Sequence, residues 1–123
     1  MRSGLAVHSP LSRGVFAVAV LVSLAVLFAP ASDVPYAPAG VDKIVHASLF
    51  ATLAVTGSWA GISRAVLAPV LVLYGAGSEV LQSFIGRDAA VGDWLADVVG
   101  VLLGLLAWEW FARRAARRSD RLA

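Results

Sequence analysis

The 123-residue chain contains no cysteine, which excludes a disulfide framework, a thiol nucleophile and a thiolate metal site. Only 15% of its residues are charged, whereas 59% are hydrophobic and the mean hydropathy is +0.81. Soluble domains are about 45–50% apolar. A soluble domain of this size could not bury so much apolar surface, so the composition predicts a membrane protein.

Features of several soluble protein classes are also missing from the sequence. No glycine-rich phosphate loop lies between a predicted strand and helix, because the comparable stretch GAGS at 75–78 falls inside an apolar run. No internal repeat is visible, and no basic surface interleaved with aromatic residues indicates nucleic-acid binding. The sequence therefore offers no support for a soluble enzyme, a nucleotide-binding domain or a nucleic-acid binder.

Four apolar runs predict membrane-spanning helices at 14–29, 44–62, 65–85 and 91–112. A helix rises about 1.5 Å per residue, so about 20 residues are needed to cross the hydrocarbon core. The last three runs meet this length, whereas the first is short and must thin the bilayer or recruit flanking residues such as Arg13 by snorkelling. We predict an all-α, polytopic membrane protein, with residues 1–123 forming a single bundle of four transmembrane helices.

The first run has a second interpretation, as a cleaved signal peptide. Arg2 and Arg13 supply a basic n-region, and Ala29, Pro30 and Ala31 form an A-x-A type of cleavage site after the apolar run. We favour retention of the run, because the distribution of basic residues is satisfied best by four spans.

The basic residues predict the orientation of the bundle. With four spans, only Lys43 and Arg87 lie on one side. The positive-inside rule then places both termini in the cytoplasm and the loops 30–43 and 86–92 outside. The tail 113–123 would anchor the topology and attract anionic lipid. The other eight of the ten basic residues lie on the cytoplasmic side: Arg2, Arg13, Arg64, Arg113, Arg114, Arg117, Arg118 and Arg121.

In this orientation the strongly polar residues of spans 2 to 4 fall in one layer near the outer ends of the helices. At about 100° per residue, Asp93, Asp97, Gly100 and Gly104 share one stripe, and the two glycines predict close helix packing. The acids should therefore point into the bundle, where Asp97 would face Glu79 and His46. The layer consists of Asp42, Lys43, His46, Glu79, Gln82, Arg87, Asp88, Asp93 and Asp97.

The layer carries an excess of negative charge, because its five acids outnumber Lys43 and Arg87 by three when His46 is neutral. Protonated carboxyls, a charged His46 or a bound cation would each lower the cost of this excess. Oxygen and imidazole ligands suit a divalent metal, but the sequence contains no motif that identifies one.

Structural interpretations exist for several of these residues. Asp42 and Asp93 lie where acids stabilise helix N-termini, and Glu109 lies beside the arginines, where we expect a structural ion pair. Helix termini do not explain Glu79, Gln82 and Asp97, which lie a turn or more inside their spans. Their similar depth in the membrane and their position on helix faces that point into the bundle favour a functional polar site.

The ordered polar motifs resemble those of the VanZ-like family of membrane proteins. The stretch 42–46 (DKIVH), followed by Phe50, is similar to the family pattern D-K-x-x-H-x-x-x-F. The stretch 79–82 (EVLQ) is similar to E-x-x-Q, and 86–87 is similar to G-R. The stretch 93–104 resembles D-x-x-x-N-x-x-G-x-x-x-G, with one departure, since the fifth position is an aspartate rather than an asparagine.

The resemblance implies a small polytopic protein of the cell envelope, located in a bacterial plasma membrane. The family's namesake is associated with low-level resistance to the glycopeptide teicoplanin. Glycopeptides act outside the membrane on the peptidoglycan precursor, which fits an outward-facing site. We therefore expect a protein whose polar layer binds, or binds and modifies, a lipid-linked cell-wall component. Lys43 and Arg87 would contact an anionic phosphate or carboxylate.

The residues fit either a catalytic or a purely binding form of this site. In an enzyme, His46 or Glu79 would be the general base, while Asp93 and Asp97 would hold a cation or orient water. The candidate catalytic residues are His46, Glu79 and Asp93, and the candidate ligand-binding residues are Asp42, Lys43, Gln82, Arg87 and Asp97.

A non-catalytic alternative remains open, in which the layer is an ion-pair network that orders helix packing, docks a partner or belongs to an ion path. A path should continue across the bilayer. Toward the cytoplasmic side, however, spans 2 to 4 offer mainly hydroxyl groups, namely Thr52, Thr56, Ser58 and Tyr74, which argues against a transporter.

Overall fold

A computed structural model describes residues 7–29, 40–86 and 90–122. These residues form helices only, so the all-α prediction is confirmed. The described elements are α1 (Pro10–Leu27), α2 (Val41–Trp59), α3 (Arg64–Phe84) and α4 (Val91–Leu122).

Three of the four helices, α1, α3 and α4, are long and apolar enough to cross a membrane. The expectation that the first apolar run is too short was wrong, because α1 begins at Pro10 rather than at residue 14. The Ser9 side chain caps this start by accepting a 3.0 Å hydrogen bond from the Ser12 N–H. The extra turn brings α1 to 18 residues.

The prediction that the second run forms a fourth span stays a prediction, since α2 is not one of the three helices that are long and apolar enough. It begins at Val41, three residues before the predicted start, and its first turns therefore include Asp42, Lys43 and His46. Gly40 precedes the helix with φ +92°, a left-handed conformation that glycine adopts without strain. The additional polar residues lower the hydropathy of α2 as a whole.

The more polar helix α2 lies in the centre of the fold, where it contacts α1, α3 and α4. Its closest neighbour is α4, because a Cβ added to Gly100 would overlap the Ala47 carbonyl oxygen, and one added to Gly104 would overlap Ala51 and Ala54. The small-residue pair identified in the sequence thus lies at the α2–α4 interface, where it permits close backbone approach.

A buried apolar core joins α2 to the other helices, and Phe50, Leu53, Leu67 and Val101 are almost completely inaccessible. Large apolar side chains also cover the outside of the helices, as at Leu73, which is 70% exposed. Such a surface suits lipid rather than water. Two side-chain hydrogen bonds hold α1 against α3, namely Ser23 Oγ to Tyr74 Oη at 2.8 Å and Gln82 Nε2 to the Leu27 carbonyl at 2.8 Å.

The last helix is longer than the predicted span, which ended at residue 112. It continues through the arginine-rich segment to Leu122 without a break. Near the end of the apolar part, Glu109 accepts from Arg64 of α3 at 3.2 Å and from Arg113 at 2.6 Å. The expected ion pair of Glu109 is therefore confirmed.

Candidate polar site

A buried histidine–carboxylate pair links α2 to α4. His46 Nδ1 lies 2.7 Å from Asp97 Oδ1, and the two residues are 1% and 0% exposed. Each residue lies in the second turn of its helix. Gly75 of α3 makes room for this pair, because a Cβ at that position would lie 2.9 Å from Asp97 Oδ2.

Glu79 adds a third helix to this pair. Its Oε1 lies 3.9 Å from His46 Nδ1, and its Oε2 accepts a 3.1 Å hydrogen bond from the Ala90 N–H just before α4. Glu79 is only 7% exposed. His46, Glu79 and Asp97, which the sequence analysis expected to face one another, thus meet in what we call the central cluster.

Two oxygens of the central cluster are buried without a hydrogen-bond partner among the described residues. They are Glu79 Oε1 and Asp97 Oδ2. An unpaired buried polar atom costs about 1–3 kcal/mol, and more when it is charged. The central cluster is therefore an expensive arrangement, unlike a network built only to stabilise the fold.

A second polar group lies beside the central cluster and is more accessible. Lys43 Nζ donates to Asp93 Oδ1 at 3.3 Å, which joins α2 to the start of α4. The Lys43 side chain is 54% exposed, whereas that of Asp93 is 7% exposed. Asp42 Oδ1 lies 3.8 Å from His46 Nε2, so carboxylates flank both ring nitrogens of the histidine.

The remaining candidate residues have different positions. Gln82 is buried on α3, where its amide nitrogen donates to the Leu27 carbonyl of α1 rather than to the central cluster. Arg87 and Asp88 lie outside the described residues. Of the eight candidate residues, six are thus brought together at one end of the helices: Asp42, Lys43, His46, Glu79, Asp93 and Asp97.

Two contributions to the site escaped the sequence analysis. The Ala90 N–H orients Glu79, and backbone groups leave no signal in a side-chain pattern. Trp94 donates from its indole N–H to the Val72 carbonyl at 3.1 Å and so ties the first turn of α4 to α3. In the sequence, only the position of Trp94 next to Asp93 indicated that it belongs to the site. Buried tryptophans usually find such an acceptor.

The geometry of His46 supports two kinds of chemistry. When Nδ1 carries the proton and donates to Asp97, Nε2 is left as an acceptor that faces Asp42 and the more exposed side of the site. An imidazole in this state is a suitable general base. Alternatively, the ligand atoms of His46, Glu79 and Asp97 lie within 4.8 Å of one another, close enough for all three to hold one metal ion.

Comparison of the chain with protein-family models, with curated proteins and with solved structures found no match. The resemblance to VanZ-like proteins therefore stays a prediction that rests on the sequence motifs at 42–46, 79–82 and 93–104. Each of these three motifs contributes one residue to the central cluster: His46, Glu79 and Asp97.

Proposed function

We propose that this chain is a VanZ-like integral membrane protein of the bacterial cell envelope, with four spans and both termini in the cytoplasm. The central position of α2 supports the fourth span, because His46 in its second turn is shielded from lipid by α3 and α4. Charged groups inside a membrane are expected to face the bundle interior in this way. The polar site would then open on the outer side.

The polar site would bind a lipid-linked cell-wall component, and Lys43 would contact an anionic group of that component, such as a phosphate. The observation that carries this proposal is the pair of unpartnered oxygens on Glu79 and Asp97, because a purely structural cluster would be expected to satisfy its buried atoms. Lys43 supports the proposal, since its half-exposed ammonium group lies at the edge of the site. If the component is also modified without a metal ion, His46 Nε2 would be the base.

The hydroxyl groups beyond the polar site argue against an ion path through the described residues. Thr52, Thr56 and Ser58 each donate to a carbonyl one turn earlier in α2. Tyr74 is hydrogen-bonded to Ser23. Side chains engaged in this way are poor members of a proton or cation relay.

A non-catalytic scaffold is the second candidate function. The Lys43–Asp93 and His46–Asp97 contacts both join α2 to α4 and could serve only to order these helices. Under this alternative, removal of any one partner should lower the thermal stability of the purified protein. Under the proposed function, removal of one acid should leave the stability unchanged or raise it, because functional polar clusters are often strained.

The proposed function can be tested in cells that express the chain at equal levels as wild type or as single variants. The variants His46→Gln, Glu79→Gln and Asp93→Asn should alter the pool of lipid-linked peptidoglycan precursors and the susceptibility to teicoplanin. Glu109→Gln is the matched control, because Glu109 pairs with arginines far from the site. Wild-type precursor pools and susceptibility in all three variants would refute the proposal.

The proposed topology can be tested by chemical labelling, because the chain contains no native cysteine. Ser32→Cys lies in the predicted outer loop and should react with a membrane-impermeant maleimide in intact cells. Ser119→Cys lies in the arginine-rich end of α4 and should react only after the cells are opened. The opposite pattern would reverse the orientation, and labelling of both cysteines in intact cells would contradict an even number of spans.

A further inference from the structure

The unpartnered oxygens of the central cluster are available to a cation. Glu79 Oε1 and Asp97 Oδ2 are both inaccessible to solvent. The second oxygen of each carboxylate is already engaged, Glu79 Oε2 by the Ala90 N–H and Asp97 Oδ1 by His46. These contacts hold the carboxylates in place and leave one oxygen of each unpartnered.

Charge balance leads to the same conclusion. Among the described residues, no lysine or arginine forms an ion pair with Glu79 or Asp97, because Lys43 pairs with Asp93 instead. Two carboxylates and a neutral imidazole together carry two negative charges. A single divalent ion would neutralise them, and buried charges in proteins are normally paired or bound to a metal.

The distances are also close to those around a bound ion. His46 Nδ1 lies 2.7 Å from Asp97 Oδ1 and 3.9 Å from Glu79 Oε1. Ligands at the usual metal distances of about 2.0–2.2 Å are separated from one another by roughly 3–3.5 Å. Metal binding would replace the Nδ1–Oδ1 hydrogen bond, with the imidazole proton carried on Nε2 instead, and small rotations of the three side chains would then close the cluster around an ion.

We infer that the central cluster binds one divalent transition-metal ion through His46 Nδ1 and the carboxylates of Glu79 and Asp97. One imidazole and two carboxylates suit Zn²⁺ or Mn²⁺ better than Mg²⁺, which prefers oxygen ligands and keeps its waters. Asp42 Oδ1, 3.8 Å from Nε2, is placed to receive the other ring N–H, as carboxylates do behind metal-bound histidines. The inference rests on the proposed function only in treating the central cluster as a ligand site.

The ion would join three helices, because its ligands come from α2, α3 and α4. It would also leave coordination positions for water or for a phosphate oxygen of the proposed ligand. With the ion bound, the acidic cluster could attract an anionic group. The ion would thus explain how a ligand with a phosphate binds next to two carboxylates.

The test is metal binding by the full-length protein in detergent after treatment with a chelator. Equilibrium dialysis against Zn²⁺, Mn²⁺ or Mg²⁺, with metal analysis, should give one Zn²⁺ or Mn²⁺ per chain and at least tenfold weaker binding of Mg²⁺. Glu79→Gln and Asp97→Asn should each weaken Zn²⁺ binding at least tenfold. Glu109→Gln and His8→Ala are the controls, because neither residue belongs to the central cluster, and both should bind as wild type does.

Thermal unfolding provides a second measurement that does not depend on the folding of the variants. Saturating Zn²⁺ should raise the Tm of the wild-type protein, and the chelator should reverse the rise. No rise in Tm and no bound metal in the wild type would overturn the inference. Binding that persists unchanged in both Glu79→Gln and Asp97→Asn would also overturn it, because the metal would then lie elsewhere.

These outcomes are distinguishable from failure of the proposed function. If the variants alter the precursor pools but the purified wild type binds no metal, the inference fails and the proposed function stands. If metal binds as expected while the precursor pools never change, the inference stands and the proposed function fails.

Discussion

Ionisable side chains from different turns or helices meet in two regions of the molecule. One is the central cluster, and the other, which we call the tail network, consists of Arg64, Glu109 and Arg113. In the tail network, both oxygens of Glu109 have a guanidinium partner, and the three side chains are 34–74% exposed. In the central cluster, two carboxylate oxygens are buried without partners among the described residues. Ionisable side chains are thus inexpensive in one region and costly in the other.

The difference shows how to separate structural from functional charges in this chain. Exposed ion pairs contribute roughly 0.2–1 kcal/mol, so the tail network needs no explanation beyond its pairing. Buried charges without full pairing cost several times more. Arrangements of that kind are commonly retained where a ligand binds, so the central cluster is the better candidate for function.

The comparison is tested most severely by removing the basic partner from each region. His46→Ala would leave the buried Asp97 without its partner, so we expect a loss of about 3 kcal/mol in unfolding free energy. Arg113→Ala in the exposed tail network should cost less than about 1 kcal/mol. Chemical unfolding in detergent micelles measures both, and equal losses would show that burial does not distinguish the two regions.

The second-largest loss of stability is expected from a change at the α2–α4 interface, which positions the central cluster. A Cβ at Gly100 would overlap the Ala47 backbone, so Gly100→Ala should force α2 from α4 and cost about 2 kcal/mol. Gly77 has no neighbour within 4 Å, and Gly77→Ala should raise stability by up to about 1 kcal/mol through helix propensity. The Tm values of the two variants measure the contrast, and a Gly100→Ala variant as stable as wild type would contradict the close α2–α4 approach.

Neutralising one acid of the central cluster should raise the stability of the protein, by less than the losses expected above. Glu79→Gln keeps an acceptor for the Ala90 N–H and adds an amide donor beside Asp97, so the metal-free protein should gain about 1 kcal/mol. Thermal unfolding in the presence of a chelator measures this gain. A clear loss of stability would favour the structural ion-pair network instead.

The smallest effect is expected in the tail network. Glu109→Gln removes one charge from exposed pairs with Arg64 and Arg113, and the loss should be below about 0.5 kcal/mol and should shrink as salt is added. Unfolding at low and high salt measures the difference. A large, salt-independent loss would mean that Glu109 contributes to the fold as the buried acids do.

Much of the secondary structure could be predicted from hydropathy, but the helix starts could not. Ser9 caps α1 outside the apolar run, and α2 includes the polar residues Asp42 and Lys43, so in both cases the helix begins before the hydrophobic signal does. An apolar run reports contact with lipid or core, whereas a helix starts where the backbone donors are satisfied. The gap of three or four residues changed which helices are apolar enough to cross a membrane.

The depth of the candidate residues, and the helix faces on which they lie, could be predicted from the sequence. Helical periodicity indicated that Asp97 lies on the stripe of Gly100 and that Glu79 lies at a similar depth. Periodicity did not indicate that Gln82 would bind the Leu27 carbonyl, because that contact depends on how α1 rests on α3. Nor could it show which carboxylate oxygens would lack a partner.

Composition and periodicity were enough to predict an apolar, helical chain whose polar residues fall in one layer, because both are properties of each segment alone. The pairing of Asp97 with His46 and of Lys43 with Asp93, and the unpartnered oxygen of Glu79, follow from how the helices pack. The paired residues are about 50 positions apart in the chain, 51 for His46 and Asp97. Their contact depends on the rotation and close approach of whole helices, which the glycines at the α2–α4 interface permit.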